Sequence, residues 1–255
     1  MDQSFMKEKP VMPLVISMAI PMTISMLVNS LYNIIDSFYV AKISEQAMTA
    51  LSLVYPAQNL LTAVTVGFAI GVNAVIAYYL GAGLKKLADT AATLGLIFNI
   101  LHGFLIGTIC IVGMPAFLGR FSSDSEIIHL GTQYANIVFL FGIPIGAGIS
   151  YEKTFQAIGR MKVSMVSMLV GCVVNIILDP LMIFGFGPIP AMGIKGAAWA
   201  TGIGQVVSLV IYLAVYFKNL DNIPVRISLK NLTESGRTLK KMYGIGIPAT
   251  LNLAL

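Results

Sequence analysis

Apolar side chains run along this chain in six long blocks, at residues 14–40, 51–80, 91–117, 132–151, 163–184 and 197–217. A seventh block opens near Met242 and continues to Leu255. At about 1.5 Å of rise per residue, each of the six is long enough to cross a hydrocarbon core of about 30 Å. Open sheet edges and irregular loops cannot face lipid, so the blocks predict helices. The expected fold is an all-α integral membrane protein with a six-helix transmembrane lobe and a truncated seventh helix. The first block is too long for a signal-peptide core and has no small-residue cleavage site behind it, so it reads as a retained span.

Composition agrees: 57% of the 255 residues are hydrophobic and 11% charged, against about a quarter charged in soluble domains. Mean hydropathy is +0.85. The net charge of +5 could suggest nucleic acid, but the basic residues lie in short clusters between the blocks, as a membrane topology places them. Lys7 and Lys9, Lys85 and Lys86, then Lys153, Arg160 and Lys162, and six more between Lys218 and Lys241 make thirteen on one side. Lys42, Arg120 and Lys195 are the three on the other. The positive-inside rule then puts the amino terminus in the cytoplasm. No nucleic-acid partner is expected, whereas membrane lipid is.

The longest polar stretch is the connector at 218–242. Asn231 and Glu234 have capping-box spacing within it, ahead of Arg237, Leu239 and Lys240, which predicts a short basic helix on the inner leaflet or else a solvated linker. Beyond it, Ile247-Pro248-Ala249-Thr250 echoes Ile20-Pro21-Met22-Thr23. Such repeats are common in transporters. The expected organisation is a lobe at 1–217, a cytoplasmic connector at 218–242 and the start of a second lobe at 243–255. On that reading the chain is one lobe of a two-lobe protein, a fragment or a half-size product that pairs with a second copy.

Two carboxylates lie well inside apolar blocks, Asp36 and Asp179. A charge at mid-membrane costs about 2.5 to 3.5 kcal/mol even on lenient scales, so such residues usually serve a function. Asn29, Asn33 and Asp36 are spaced four and three, and Asn175 and Asp179 four, so each set shares one helix face. Thr201, Gln205 and Ser208 make a third polar stripe. Asp36, Asp179 and Thr201 fall at similar distances from the outer boundary, with Asn33 and Asn175 a turn deeper. Carboxylate, amide and hydroxyl oxygens at one depth suit a hard cation or a proton. Asn29, Asn33 and Gln205 are supporting or substrate-cavity positions. The rival reading is a hydrogen-bond network that only joins helices, worth about 1 kcal/mol per contact.

Other features read as packing. Gly67-x3-Gly71, Gly103-x3-Gly107 and Gly142-x3-Gly146 let helices approach closely. Cys110 and Cys172 are buried thiols, the methionines fill gaps, and Pro21, Pro56, Pro144 and Pro180 bend helices. Tyr78 and Tyr79 are expected at the membrane interface. His102 has no acidic partner one turn away and is expected to pack. With no phosphate-cradling loop, no Cys/His metal spacing and no nucleophile with a base, neither an enzyme nor a cofactor is expected. No metal is expected other than a coupling Na⁺.

Taken in order, IPMTISMLVNSLYNIIDSFYVAKI, Ala47-Met48-Thr49-Ala50-Leu51 with Pro56 beyond, GFAIGVNAVIAYYLGAG, QAIGRMK, NIILDP and GIKGAAWATGIGQ resemble the multidrug and toxic compound extrusion family, MATE, of cation-coupled antiporters. The resemblance implies twelve helices in two lobes with an organic cation or drug bound between them. It implies exchange for H⁺ or Na⁺ held by Asp36, Asn175, Asp179 and Thr201, and residence in the cell membrane. A lipid-linked oligosaccharide flippase of the same superfamily shape would use basic cavity residues, and none lies at depth here. A membrane subunit that only supplies helices to a partner is the other alternative.

Overall fold

A computed structural model describes residues 10–229, 232 and 234–255. Among the described residues eight α-helices follow one another: α1 (Val11–Ala41), α2 (Glu45–Gly81), α3 (Lys85–Phe121), α4 (Ser125–Leu140), α5 (Gly142–Ala157), α6 (Met161–Ile183), α7 (Ile194–Lys218) and α8 (Ser235–Ala254). A 3₁₀ turn, Leu220–Asn222, lies at the start of the connector. Among the described residues there is no strand beyond one isolated bridge, Phe186 to Ile189, in the loop after α6. The all-α membrane architecture is as the apolar blocks predict: α1, α2, α3, α6 and α7 are each long and apolar enough to cross a membrane.

The fourth block differs. It is two helices, α4 and α5, bent by 47° where they meet, and not one continuous helix over 132–151; only together are they long and apolar enough for a span. Pro144 has no N–H to give the carbonyl of Leu140, so the helix stops at that carbonyl and restarts after Phe141. In the first turn of α5 the missing donor costs little. Hydropathy averages over such a joint and cannot register it.

α2 is the central helix, packed against α3, α4, α5 and α8. Of the most apolar stretch of α2, 56% is buried, against 11% for α1, which lies at the edge and leans mainly on α6. Ile20, Leu27, Ile34 and Phe38 of α1 and Leu101, Phe104, Ile109 and Val112 of α3 are exposed, as lipid-facing side chains are. The core has two layers. One, near the end that carries Asp36, gathers Val40, Leu51, Val54, Met114, Leu118 and Val138. The other, near the Lys- and Arg-rich end, gathers Phe68, Val72, Ile76, Phe155, Tyr212 and Met242. Cys110 and Cys172 are free thiols buried among helices, as expected.

Over its first half the connector is not a solvated linker, and the helix expected ahead of Arg237, Leu239 and Lys240 opens at Ser235 as the start of α8. Residues 223–228 run as an extended strap across the ends of α3 and α7, with Ile223 and Val225 buried. The Arg226 N–H donates to Asp89 Oδ1 (2.7 Å), the Ile227 N–H to Tyr216 Oη (2.7 Å) and the Ser228 N–H to Thr93 Oγ1 (3.0 Å). Glu234, in the left-handed region at φ 47°, precedes α8 without a side-chain cap and pairs with Arg237 at 3.3 Å. Asn231, the other half of the expected capping box, lies outside the described residues, as do Lys7, Lys9 and Lys230 of the charge tally. α8 then continues unbroken to Ala254, so the expected border at 242 falls inside a helix.

α8 seats on α2 almost backbone to backbone. A side chain at Gly71 would run into the Met242 carbonyl, one at Gly67 into Thr250, and one at Gly246 would come within 3.0 Å of the Phe68 Cα. Gly67-x3-Gly71 therefore serves this contact, while Gly103 and Gly142 bring α3 against the α4–α5 joint. Tyr79, expected at the lipid interface, is instead buried against α8, its hydroxyl 3.5 Å from Thr238 Oγ1. Lys241 Nζ lies 4.9 Å and 5.0 Å from the Tyr78 and Tyr79 ring centroids. His102 packs, as expected, edge-on to Phe68 and 3.0 Å from the Tyr243 hydroxyl.

Candidate functional site

Three helices bring the singled-out polar residues together. Asp36 stands five residues before the end of α1, Asp179 four before the end of α6, and Thr201 seven after the start of α7. All are therefore roughly one to two turns inside the same end of the bundle. Asp36, Asn175, Asp179 and Thr201 are all buried, between 0% and 8% exposed.

The close approach of α6 and α7 sets this geometry. A Cβ added to Gly204 would come within 2.8 Å of the Gly171 carbonyl oxygen and 3.2 Å of Asn175 Cβ, and one added to Gly171 would strike Ser208 Oγ. Only hydrogen fits at either place. Ser208 is thereby drawn into the helix pair, its hydroxyl 3.0 Å from the Ser167 carbonyl and 3.1 Å from its own Gly204 carbonyl. Of the α7 stripe, Thr201 and Gln205 remain for other work.

Within the cluster one hydrogen bond is made, long at 3.4 Å, from Asn175 Nδ2 to Asp179 Oδ1. Asp36 Oδ1, Asn175 Oδ1, Asp179 Oδ2 and Thr201 Oγ1 are buried without a hydrogen-bond partner. An unsatisfied buried polar group costs about 1 to 3 kcal/mol, and more when charged. Four from three helices, converging on one region, is an arrangement that a proton or an oxygen-seeking cation relieves. The donor set is oxygen only, and no group of three or more His, Cys, Asp and Glu occurs among the described residues. That favours an alkali cation or a proton over a transition metal.

Asp36 and Asp179 lie within electrostatic reach of one another. Tyr32 and Tyr134 lie within reach of both, and Tyr134, buried on α4, accepts a hydrogen bond from Gln58 Nε2 at 3.3 Å. None of these three was singled out from sequence. Tyr32 stands one helical turn before Asp36 and could have been found by that spacing. Tyr134 carries no such signal.

A cavity of about 60 Å³ opens beside the cluster, between α1, α5, α6 and α7. Asn29 and Gln205 line it together with Asn175 and Thr201, as expected of supporting residues. Asn33 does not. It is exposed on α1 and its amide donates to the Asn29 carbonyl at 2.8 Å. At 3.6 residues per turn, Asn29 and Asp36 point within about 20° of each other, whereas Asn33 is about 60° from Asp36. Spacings of four and three along the sequence therefore hide the edge of the buried stripe.

Comparison with known proteins adds three likenesses. A family model described as MatE matches residues 21–181. The multidrug export protein MepA of Staphylococcus aureus is 28% identical over 252 residues, 97% of this chain and 54% of MepA. Among solved structures, a multidrug resistance MATE family transporter of the MOP superfamily in an outward-facing conformation is similar with a TM-score of 0.83 and 28% identity, over 94% of this chain and 52% of that one. A MOP superfamily transporter from Pyrococcus furiosus is similar with a TM-score of 0.86 and 26% identity, over 94% and 52%. The chain thus spans about half the length of the relatives it matches.

Proposed function

Because the chain belongs to the MatE family, we propose that it carries the ion-coupling site of a multidrug exporter, a secondary transporter of the cell membrane and not an enzyme. The coupling ion, H⁺ or Na⁺, is taken up by Asp36, Asn175, Asp179 and Thr201. The exported substrate is an organic cation or drug, held where this six-helix lobe faces a second lobe or a second copy. The Lys- and Arg-rich end lies in the cytoplasm, which puts the ion site near the outer leaflet.

The single observation that carries this reading is the set of four buried, unpartnered oxygens on α1, α6 and α7. An ion drives movement only if it prefers one arrangement of the protein over another. α1 is the least enclosed of the long helices and leans mainly on α6, so an ion bridging Asp36 to Asn175 and Asp179 would add substantially to what holds α1 in place. Loss of the ion would free it. This links occupancy at one end of the lobe to the position of the helix that borders the substrate's route.

The test is ion-driven efflux of a fluorescent organic cation from vesicles carrying the protein, with either a proton or a sodium gradient imposed. Asp36→Asn and Asp179→Asn keep the side-chain shape and remove the charge. Each is expected to lower efflux to the rate of vesicles without protein, and undiminished transport in both would overturn the assignment.

A further inference from the structure

The ion site is lopsided along its helices. One turn deeper into the bundle than Asp36, Asp179 and Thr201 stand Tyr32, Asn175 and Gln205, all polar. One turn toward the near end stand Val40, Ile183 and Ala197, all apolar. Residues four apart share a helix face, so each apolar side chain lies over the polar one, about 6 Å nearer the end of the bundle. Val40, Ile183 and Ala197 are between 0% and 2% exposed and belong to one contiguous apolar layer with Leu51 and Val54 of α2.

The backbone over this layer is satisfied as well. The last carbonyls of a helix have no partner in their own helix and commonly turn to water. At the end of α6 the Met182 and Ile183 carbonyls instead accept the N–H groups of Met192 (2.9 Å) and Gly193 (3.1 Å), from the loop that returns to α7. Gly193 makes that return at φ 57°, where a side chain is disfavoured. Gly196 then lets the start of α7 close onto the Met182 carbonyl, which an added Cβ would strike. Phe184, at the opening of the loop, meets Tyr39 of α1 edge-on with ring centroids 6.3 Å apart. One loop thus roofs the ends of all three helices that carry the site.

We propose that Val40, Ile183 and Ala197, under this loop, form an apolar seal that bars the coupling ion from passing straight between the ends of α1, α6 and α7, so that it reaches the site only from the flank of the lobe. The proposal rests on the ion-site reading and on the orientation given with it. A site one to two turns from the outer solution would otherwise stay open to that side in every arrangement of the protein. An ion that binds all arrangements alike drives none of them. With the end closed, access depends on where the second lobe or second copy stands, as alternating access around a fixed site requires. The three side chains are positioning residues. They act by keeping water from the oxygens beneath, as apolar constrictions stop ions in channels.

Thiol labelling tests the seal without any transport. In a Cys110→Ala, Cys172→Ala background, Val40→Cys is compared with Lys42→Cys, an exposed position at the same end of α1. In vesicles carrying the protein, a membrane-impermeant maleimide added outside should modify Lys42→Cys at least about tenfold faster, because thiol reactivity follows exposure. Equal rates overturn the seal. A second arm asks what the seal does. Val40→Thr keeps the shape of valine and adds a hydroxyl, and with Ile183→Thr it should raise the leak of Na⁺ or H⁺ into substrate-free vesicles roughly tenfold. The ion-dependent rise in thermal stability should persist in that double variant, and Val40→Ile should leave the leak unchanged. A leak that stays at the unaltered level in the threonine variant overturns the proposal; if that variant does not fold, the labelling rates decide. Asp36→Asn and Asp179→Asn report separately: an ion-dependent rise retained in both overturns the ion site, while the labelling still judges the seal.

Discussion

Two aspartates of this chain show how the same side chain serves opposite ends. Asp89, at the start of α3, accepts the Arg226 N–H and helps fix the strap across the Lys- and Arg-rich end, where Thr93 and Tyr216 each take a backbone N–H as well. Asp36, near the far end of α1, is more deeply buried and leaves Oδ1 without a partner. Around it Asn175, Asp179 and Thr201 do the same. Asn99 Oδ1, His102 Nδ1 and Ser167 Oγ are also buried without a partner, but singly. Neither burial nor one missing hydrogen bond sets the cluster apart; four unmatched oxygens on three neighbouring helices do.

That contrast can be broken most sharply by ion-dependent stability. With the coupling ion at about 100 times its Kd, binding to the folded state adds about 2.7 kcal/mol. Thermal unfolding in detergent should show this rise in the unaltered protein and in Asp89→Asn, and none in Asp179→Asn. A rise that survives in Asp179→Asn would place the ion elsewhere. Next in size, Asp89→Ala removes the strap's contact and should lower baseline stability by about 1 kcal/mol, the usual net value of such a hydrogen bond, with the ion-dependent increment intact. The smallest effect is expected for Asn33→Ala. As an exposed residue whose amide only caps a carbonyl of its own helix, it should shift neither baseline nor increment by more than about 0.5 kcal/mol. A larger shift in the increment would return Asn33 to the ion site.

Much of this was legible in the chain itself, because a bilayer imposes one dominant rule and the apolar blocks obey it. The spacing of Asn175 and Asp179 marked one buried polar face, and the cost of a buried carboxylate singled out Asp36. Three things were hidden for distinct reasons. The break at Phe141 lies within continuous apolar sequence, so only the missing N–H of Pro144 hinted at it. The strap at 223–228 depends on Asp89, Thr93 and Tyr216, whose partnership with it is tertiary. Gly171 and Gly204 have no glycine four residues away, only the small residues Ser167, Ala200 and Ser208 at that spacing, a weaker flag than the Gly-x3-Gly pairs.

The strap has a consequence in time as well. Its bonds join residues as far as 137 apart, Arg226 to Asp89, and closing such long loops comes late unless the intervening chain is already compact. Helix pairs α2 with α3 and α6 with α7 have only short connections to close, so they can assemble before residue 226 is in reach. The strap is then a clasp fastened after those pairs, and the docking of α8 on α2, which joins residues 159 apart at Tyr79 and Thr238, closes a longer loop still. The order in which the protein is made and the order in which it is locked run in the same direction.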